Sequence, residues 1–140
     1  MIWHHIEKGH GRPLILLHGI GMNSEAWAPV MDRLAIQRRV IAFDIPGFGK
    51  TPGIEGREPD SAAMVESLGQ SLRKMGIDEP VDMVGNSLGG RIILDAAADG
   101  LARSIVGISP AGLWRETGPG HIEPMFGAMR KVYQAMPAVA

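Results

Sequence analysis

The apolar stretch Val81 to Val84 runs into Gly85-Asn86-Ser87-Leu88-Gly89 and straight on into a helical segment that begins near Leu88. Glycine-x-serine-x-glycine between a strand and a helix describes a very tight turn. Side chains two before and two after the serine would collide with neighbouring backbone there. Glycine has no Cβ and tolerates the strained dihedrals, so it fits both places. Such a turn thrusts the serine hydroxyl clear of the fold, above the carboxyl end of a sheet and over a helix N-terminus. A hydroxyl so placed can attack a carbonyl carbon once a base takes its proton. Ser87 is the candidate nucleophile. The pattern alone carries little weight in a chain with 19 glycines; position and two further motifs give it more.

Leu16-Leu17-His18-Gly19-Ile20-Gly21 ends an earlier apolar run. A glycine-flanked exit at the carboxyl end of a strand can aim backbone N–H groups into the space above the sheet. Such donors stabilise a developing oxyanion, typically by about 3–4 kcal/mol each; the same glycines also serve simply to make a sharp exit. His18 has the residue type of a base, but a histidine locked in such a turn reads as structural. Asp44-Ile45-Pro46-Gly47-Phe48-Gly49 closes another apolar run. Asp44 could be an acid partner by type. It precedes the serine, however, and its loop reads better as a glycine turn packed beside the serine's.

The elements that would position these motifs alternate along the chain. Ile2 to Glu7 has the period of a strand with one covered face, and Gly9-His10-Gly11 is a turn, so His4, His5 and His10 are assigned to the surface of an opening hairpin. Pro13–Leu17 is a continuous apolar run, as in a strand buried on both faces of a parallel sheet; Val40–Phe43 and Ser104–Ile108 read as further buried strands and Val81–Val84 as a short apolar one. Asn23 or Ser24 caps a helix with Trp27, Val30, Met31 and Leu34 on one face. A second helix covers Ser61 to Met75, stopped by Gly76, and a third, small-sided one runs from Leu88 to about Asp99. Strand and helix in strict succession predict an α/β fold, a mostly parallel sheet flanked by helices with right-handed crossovers.

Composition is that of an ordinary globular protein: 140 residues, 45% hydrophobic, 21% charged, net charge −1. The scattered Lys and Arg give no surface suited to nucleic acid or an anionic membrane. With no cysteine, a disulfide framework, thiolate metal ligands and a cysteine nucleophile are excluded. The amino terminus lacks the layout of a signal peptide, and no apolar run reaches membrane-spanning length, so the expected location is cytoplasmic.

The His-Gly-Ile-Gly turn, the Asp-x-Pro-Gly-x-Gly turn and Gly-Asn-Ser-Leu-Gly, each after a buried strand and in that order, resemble the α/β-hydrolase family over about residues 2–112. By that resemblance Ser87 matches the nucleophile, and the backbone N–H groups of Ile20 and Leu88 match the oxyanion hole. Asn86 occupies a position that touches substrate in some carbon–carbon bond hydrolases of the family. A serine at 87, rather than an aspartate, speaks against the haloalkane- and epoxide-opening branches. The implied enzyme is a serine hydrolase acting on a carboxylic ester or related acyl or carbonyl compound, a small-molecule substrate, with neither metal nor organic cofactor. Thioester, lactone or vinylogous ketone cleavage would use the same parts.

The family's acid and histidine follow the serine along the chain. Here the strand at 104–108 leads to Ser109-Pro110-Ala111-Gly112, with no acid. His121 is the sole histidine after Ser87, Asp95 and Asp99 lie on the helix behind the serine where they would face solvent, and Asp82 lies at the amino end of its strand. Residues 1–112 therefore read as the amino-terminal part of a hydrolase core and 113–140 as the start of a lid. In that segment Met125, Met129, Val132 and Met136 either edge a core helix or line a flexible cover. The 140 residues alone are expected to be inactive, with the histidine–acid pair supplied beyond them, either further along the same chain or by a complementing carboxyl-terminal half. The rival reading is a non-enzymatic ligand-binding or interaction protein on a hydrolase frame.

Overall fold

The structure is a computed structural model and describes residues 1–56 and 60–113. Its strands are β1 (His5–Lys8), β2 (Pro13–Leu17), β3 (Arg39–Phe43), β4 (Val81–Asn86) and β5 (Ala102–Ile108). Its helices are α1 (Ala28–Leu34), α2 (Ser61–Lys74) and α3 (Leu88–Ala98). The strands form one mixed sheet in the order β1-β3-β2-β4-β5, in which only β1 is antiparallel to its neighbour. This is the α/β arrangement that the alternation of elements predicts.

Side-chain alternation along the inner strands separates two cores. Ile15 and Leu17 on β2, Ile41 and Phe43 on β3 and Met83 on β4 join Leu68 of α2 and Ile92 of α3 on one face. Leu14, Leu16, Val40 and Ala42 join Met31 of α1 on the other. Both faces of β2 and β3 are covered, which is why Pro13–Leu17 and Val40–Phe43 read as unbroken apolar runs. The amino terminus is built into the first core: the Trp3 amide donates to Ser71 Oγ at 2.9 Å, and its indole N–H to Ser67 Oγ at 2.9 Å. Its ring meets Phe43 edge-on at 5.7 Å.

Four details depart from the sequence expectation. β1 begins at His5 and pairs with β3, with His5 opposite Phe43, so β1 and β2 do not form a hairpin. Gly9 is needed instead for a close approach, since a Cβ there would lie 2.2 Å from the Arg38 carbonyl oxygen. The first helix opens as a 3-10 turn, Ser24–Trp27, whose cap Asn23 accepts from the Glu25 N–H, and Val30 turns outward at 41% exposure. Finally, β5 is not buried: Val106 is 59% and Ile108 45% exposed. It is an edge among the described residues, paired only with β4. Among the described residues no helix is long and apolar enough to cross a membrane.

At the amino ends of β4 and β5, the buried Asp82 carboxylate accepts from Arg38 and Arg103 at 2.5 Å each and from Ser104 Oγ at 2.7 Å. The Arg103 hydrogen bond, helped by Ser104 and Arg38 and opposed by burial, holds the carboxyl far below the usual carboxylate range. A depressed folded-state pKa contributes stability that is present above the unfolded-state value and is lost as pH falls through the folded one. Asp82→Asn should therefore cost about 2 kcal/mol near neutral pH. Urea unfolding should show that difference shrinking as pH falls below about 4; a difference independent of pH would disprove this account of Asp82.

Candidate active site

β4 ends at Asn86 and α3 starts at Leu88, so one residue turns the chain from strand to helix. That residue, Ser87, has φ 50° and ψ −108°, a backbone region that L side chains rarely adopt. The flanking glycines are required by space. A Cβ on Gly85 would lie 2.3 Å from the Gly89 carbonyl oxygen, and one on Gly89 would lie 2.2 Å from the Leu17 carbonyl oxygen. The serine turn and the β2 exit are locked together, with the Gly89 N–H donating to the His18 carbonyl at 3.1 Å. A Cβ on Gly19 would lie 3.5 Å from Ser87 Cβ, so the two turns abut at the serine itself. Among the described residues, the amides of Ile20 and Leu88 make no hydrogen bond.

His18 is 1% exposed and fully engaged. Its Nε2 accepts the Ile45 N–H at 3.0 Å, which leaves Nδ1 to donate to the Gly19 carbonyl at 2.7 Å. The ring is therefore neutral with its proton on Nδ1, and it meets Phe48 edge-on at 5.8 Å. Burial pushes its pKa down, against the smaller opposing pull of the Gly19 carbonyl and the Asp44 charge. The structural reading of His18 agrees with this arrangement. The carbonyl it grips belongs to the same peptide unit as the Ile20 N–H, and in a trans peptide the N–H points opposite the C=O.

Asp44 is 2% exposed. Its Oδ1 accepts from the Ser24 N–H at 2.7 Å, and its Oδ2 from the Lys50 N–H at 2.8 Å and His4 Nδ1 at 2.9 Å. Burial alone would raise its pKa; the Lys50 and Ser24 hydrogen bonds and the His4 contact outweigh that and hold it below the ordinary value. Asp44 thus organises its glycine turn. His4 is tied to that turn and His5 meets Phe43 edge-on at 5.4 Å, so both are held by partners and only partly exposed rather than free on the surface. No periodicity marks His4: its partner is forty residues away in sequence.

The Asn86 side chain donates from Nδ2 to the Ile108 carbonyl at 3.3 Å, and its Oδ1 lies 2.8 Å from where a Gly19 Cβ would stand. It spans from the β2 exit to the end of β5. Asp95 does not face solvent freely as expected; the Ser61 hydroxyl and Arg91 Nε (2.9 Å) both bind it. Asp99 is exposed, Asp82 stands at the far end of the sheet, and His121 and the methionine pattern lie outside the described residues. Among the described residues no group of His, Asp and Glu is arranged to hold a metal.

A family model described as the alpha/beta hydrolase fold matches residues 12–136. The chain belongs to the α/β-hydrolase fold family. Its α/β-hydrolase relatives include a 2-hydroxy-6-oxo-6-(2'-aminophenyl)hexa-2,4-dienoic acid hydrolase of Metapseudomonas resinovorans, 37% identical over 78% of this chain and 39% of the relative. A pimeloyl-[acyl-carrier protein] methyl ester esterase of Aliivibrio salmonicida is 37% identical over 64% of this chain and 32% of its own length. Among solved structures, a meta-cleavage product hydrolase from Pseudomonas fluorescens superposes with a TM-score of 0.72 at 29% identity, over 80% of this chain and 43% of that one. The chain thus spans less than half the length of these hydrolases.

Two outcomes follow from the turn geometry. Gly89→Ala should destabilise by about 3 kcal/mol or prevent folding, whereas Gly76→Ala, at φ 72° in open space, should cost only about 1 kcal/mol; equal costs in chemical denaturation would refute the close-approach argument. Nitrogen-15 spectra should show His18 protonated on Nδ1 and titrating below the ordinary histidine value. Because its folded-state pKa is depressed, the unfolded chain takes up this proton first, and stability should fall as pH drops below about 6.5.

Proposed function

We propose that the chain carries the nucleophile half of a serine hydrolase acting on a small carbonyl compound, most simply a carboxylic ester. Ser87 Oγ attacks the carbonyl carbon, and the N–H groups of Leu88 and Ile20 receive the charge that develops on its oxygen. The observation that carries the reading is the left-handed backbone of Ser87, beside Gly19 and at the head of α3. The unengaged amides of Ile20 and Leu88 support it. Each oxyanion donor is worth about 3 kcal/mol of barrier in enzymes of this kind.

The proton acceptor is not among the described histidines. His18 is held between Gly19 and Ile45, His4 is bound to Asp44, His5 lies 3.0 Å from the Trp3 carbonyl, and His10 stands between β1 and β2 at the end of the sheet away from Ser87. A histidine and acid from outside the described residues complete the mechanism, taking the hydroxyl proton and returning it to the leaving group. No step calls on a metal or an organic cofactor.

A second substrate class, a vinylogous ketone cleaved at a carbon–carbon bond, has its own support in the relative from Metapseudomonas resinovorans. Both classes use the same nucleophile and oxyanion donors.

The test is labelling with a fluorophosphonate, which reports an activated serine. In the whole protein, label should appear on Ser87 and vanish in Ser87→Ala, whose turnover should fall by about 10⁶. An unlabelled whole protein would favour a non-enzymatic role, and label on another serine would refute the assignment. Parallel assays with p-nitrophenyl esters and a 2-hydroxy-6-oxo-dienoate would separate the two substrate classes.

A further inference from the structure

The turn that leaves β5 touches Ser87 on both sides. The Ser87 N–H donates to the Ile108 carbonyl at 3.0 Å, and the Ser87 carbonyl accepts from the Ala111 N–H at 2.9 Å as well as from Arg91 of α3 at 3.0 Å. The Asn86 amide adds a bond to the same Ile108 carbonyl at 3.3 Å. Between these contacts, Ser109 takes φ 45°, the only non-glycine besides Ser87 at positive φ among the described residues.

Pro110 is seated where two glycines leave room. A Cβ on Gly107 of β5 would lie 2.6 Å from Pro110 Cγ, and a Cβ on Gly90 of α3 would lie 2.9 Å from Pro110 Cα. The ring therefore sits in a slot between strand and helix that any larger residue at 90 or 107 would fill. Proline's own φ is fixed by its ring. A seated ring with a fixed φ fixes where the Pro110 carbonyl carbon stands, and so limits where the Ala111 N–H can reach.

We propose that Pro110 is a positioning residue: seated between Gly90 and Gly107, it holds the Ile108–Ala111 turn as a clasp on both backbone polar groups of Ser87. The reason for a clasp is physical. A serine at φ 50° is intrinsically unfavourable and persists only where its surroundings over-determine it. The start of α3 restrains only the carboxyl side of Ser87, through the Arg91 amide. The clasp restrains the amino side as well, and adds a second donor to the carbonyl. Its effect is on the aim of Oγ, not on its proton.

This inference rests on the serine-hydrolase reading for its catalytic consequence, and the test separates the two. In the whole protein, Pro110→Ala and Gly107→Ala would be compared with wild type for melting temperature, Ser87 phosphonylation rate and its pH profile, and amide hydrogen exchange. The expected result is a folded Pro110→Ala protein labelled at least about tenfold more slowly, with the midpoint of its pH profile unchanged. The amides of Ser87 and Ala111 should exchange faster while those of the β2–β3 ladder do not. Wild-type labelling rates in folded Pro110→Ala would overturn the clasp while leaving the nucleophile assignment standing. If wild type itself does not label, the hydrolase reading fails, and exchange at Ser87 and Ala111 decides the clasp alone: no acceleration in Pro110→Ala overturns it. Should Gly107→Ala fail to fold, the Pro110→Ala comparison still decides.

Discussion

One residue between a strand and a helix must take a backbone conformation that its own side chain resists, and the upper part of the structure is arranged around that demand. Ser87 can hold φ 50° only because β4, α3 and the β2 exit come closer together than side chains normally allow. Gly85, Gly89 and Gly19 are the points of closest approach. Gly85 and Gly89 make room for backbone and Gly19 for the Asn86 side chain and Ser87 Cβ, and the gain is rigidity in the group they surround.

Around this point the polar groups form successive supports. Asp44 gathers the amides of Ser24 and Lys50 with the His4 ring; the next residue, Ile45, donates to His18; His18 in turn grips the Gly19 carbonyl. Every link is buried or half-buried, where an unmatched polar group would cost more than the bond itself contributes. Residues with the types of a catalytic base and acid are thus consumed in holding a loop. The lower end of the sheet has a separate anchor in Asp82 with its two arginines.

Much of this was legible in the chain because the relevant signals are local. Strand, glycine turn and helix follow one another within a dozen residues around Ser87, and the apolar runs of β2 and β3 reveal their doubly covered faces directly. The errors arose where geometry depends on distant partners. Nothing in Ile2–Glu7 says that β1 skips β2 to pair with β3, or that His4 meets Asp44. Ser104–Ile108 has the composition of an inner strand, but burial depends on neighbours, and β5 has only one among the described residues. Gly90 and Gly107 read as ordinary small residues until Pro110 is seen lying between them.

The placement of Trp3 has a practical corollary. The indole is fully enclosed, edge-on to Phe43 and bonded to α2 through Ser67, so Trp3 seams the amino end of the chain to the sheet and to α2. With Trp27 and Trp114 replaced by phenylalanine, Trp3 becomes a built-in optical reporter. A red shift in its emission would register the amino end peeling from the sheet.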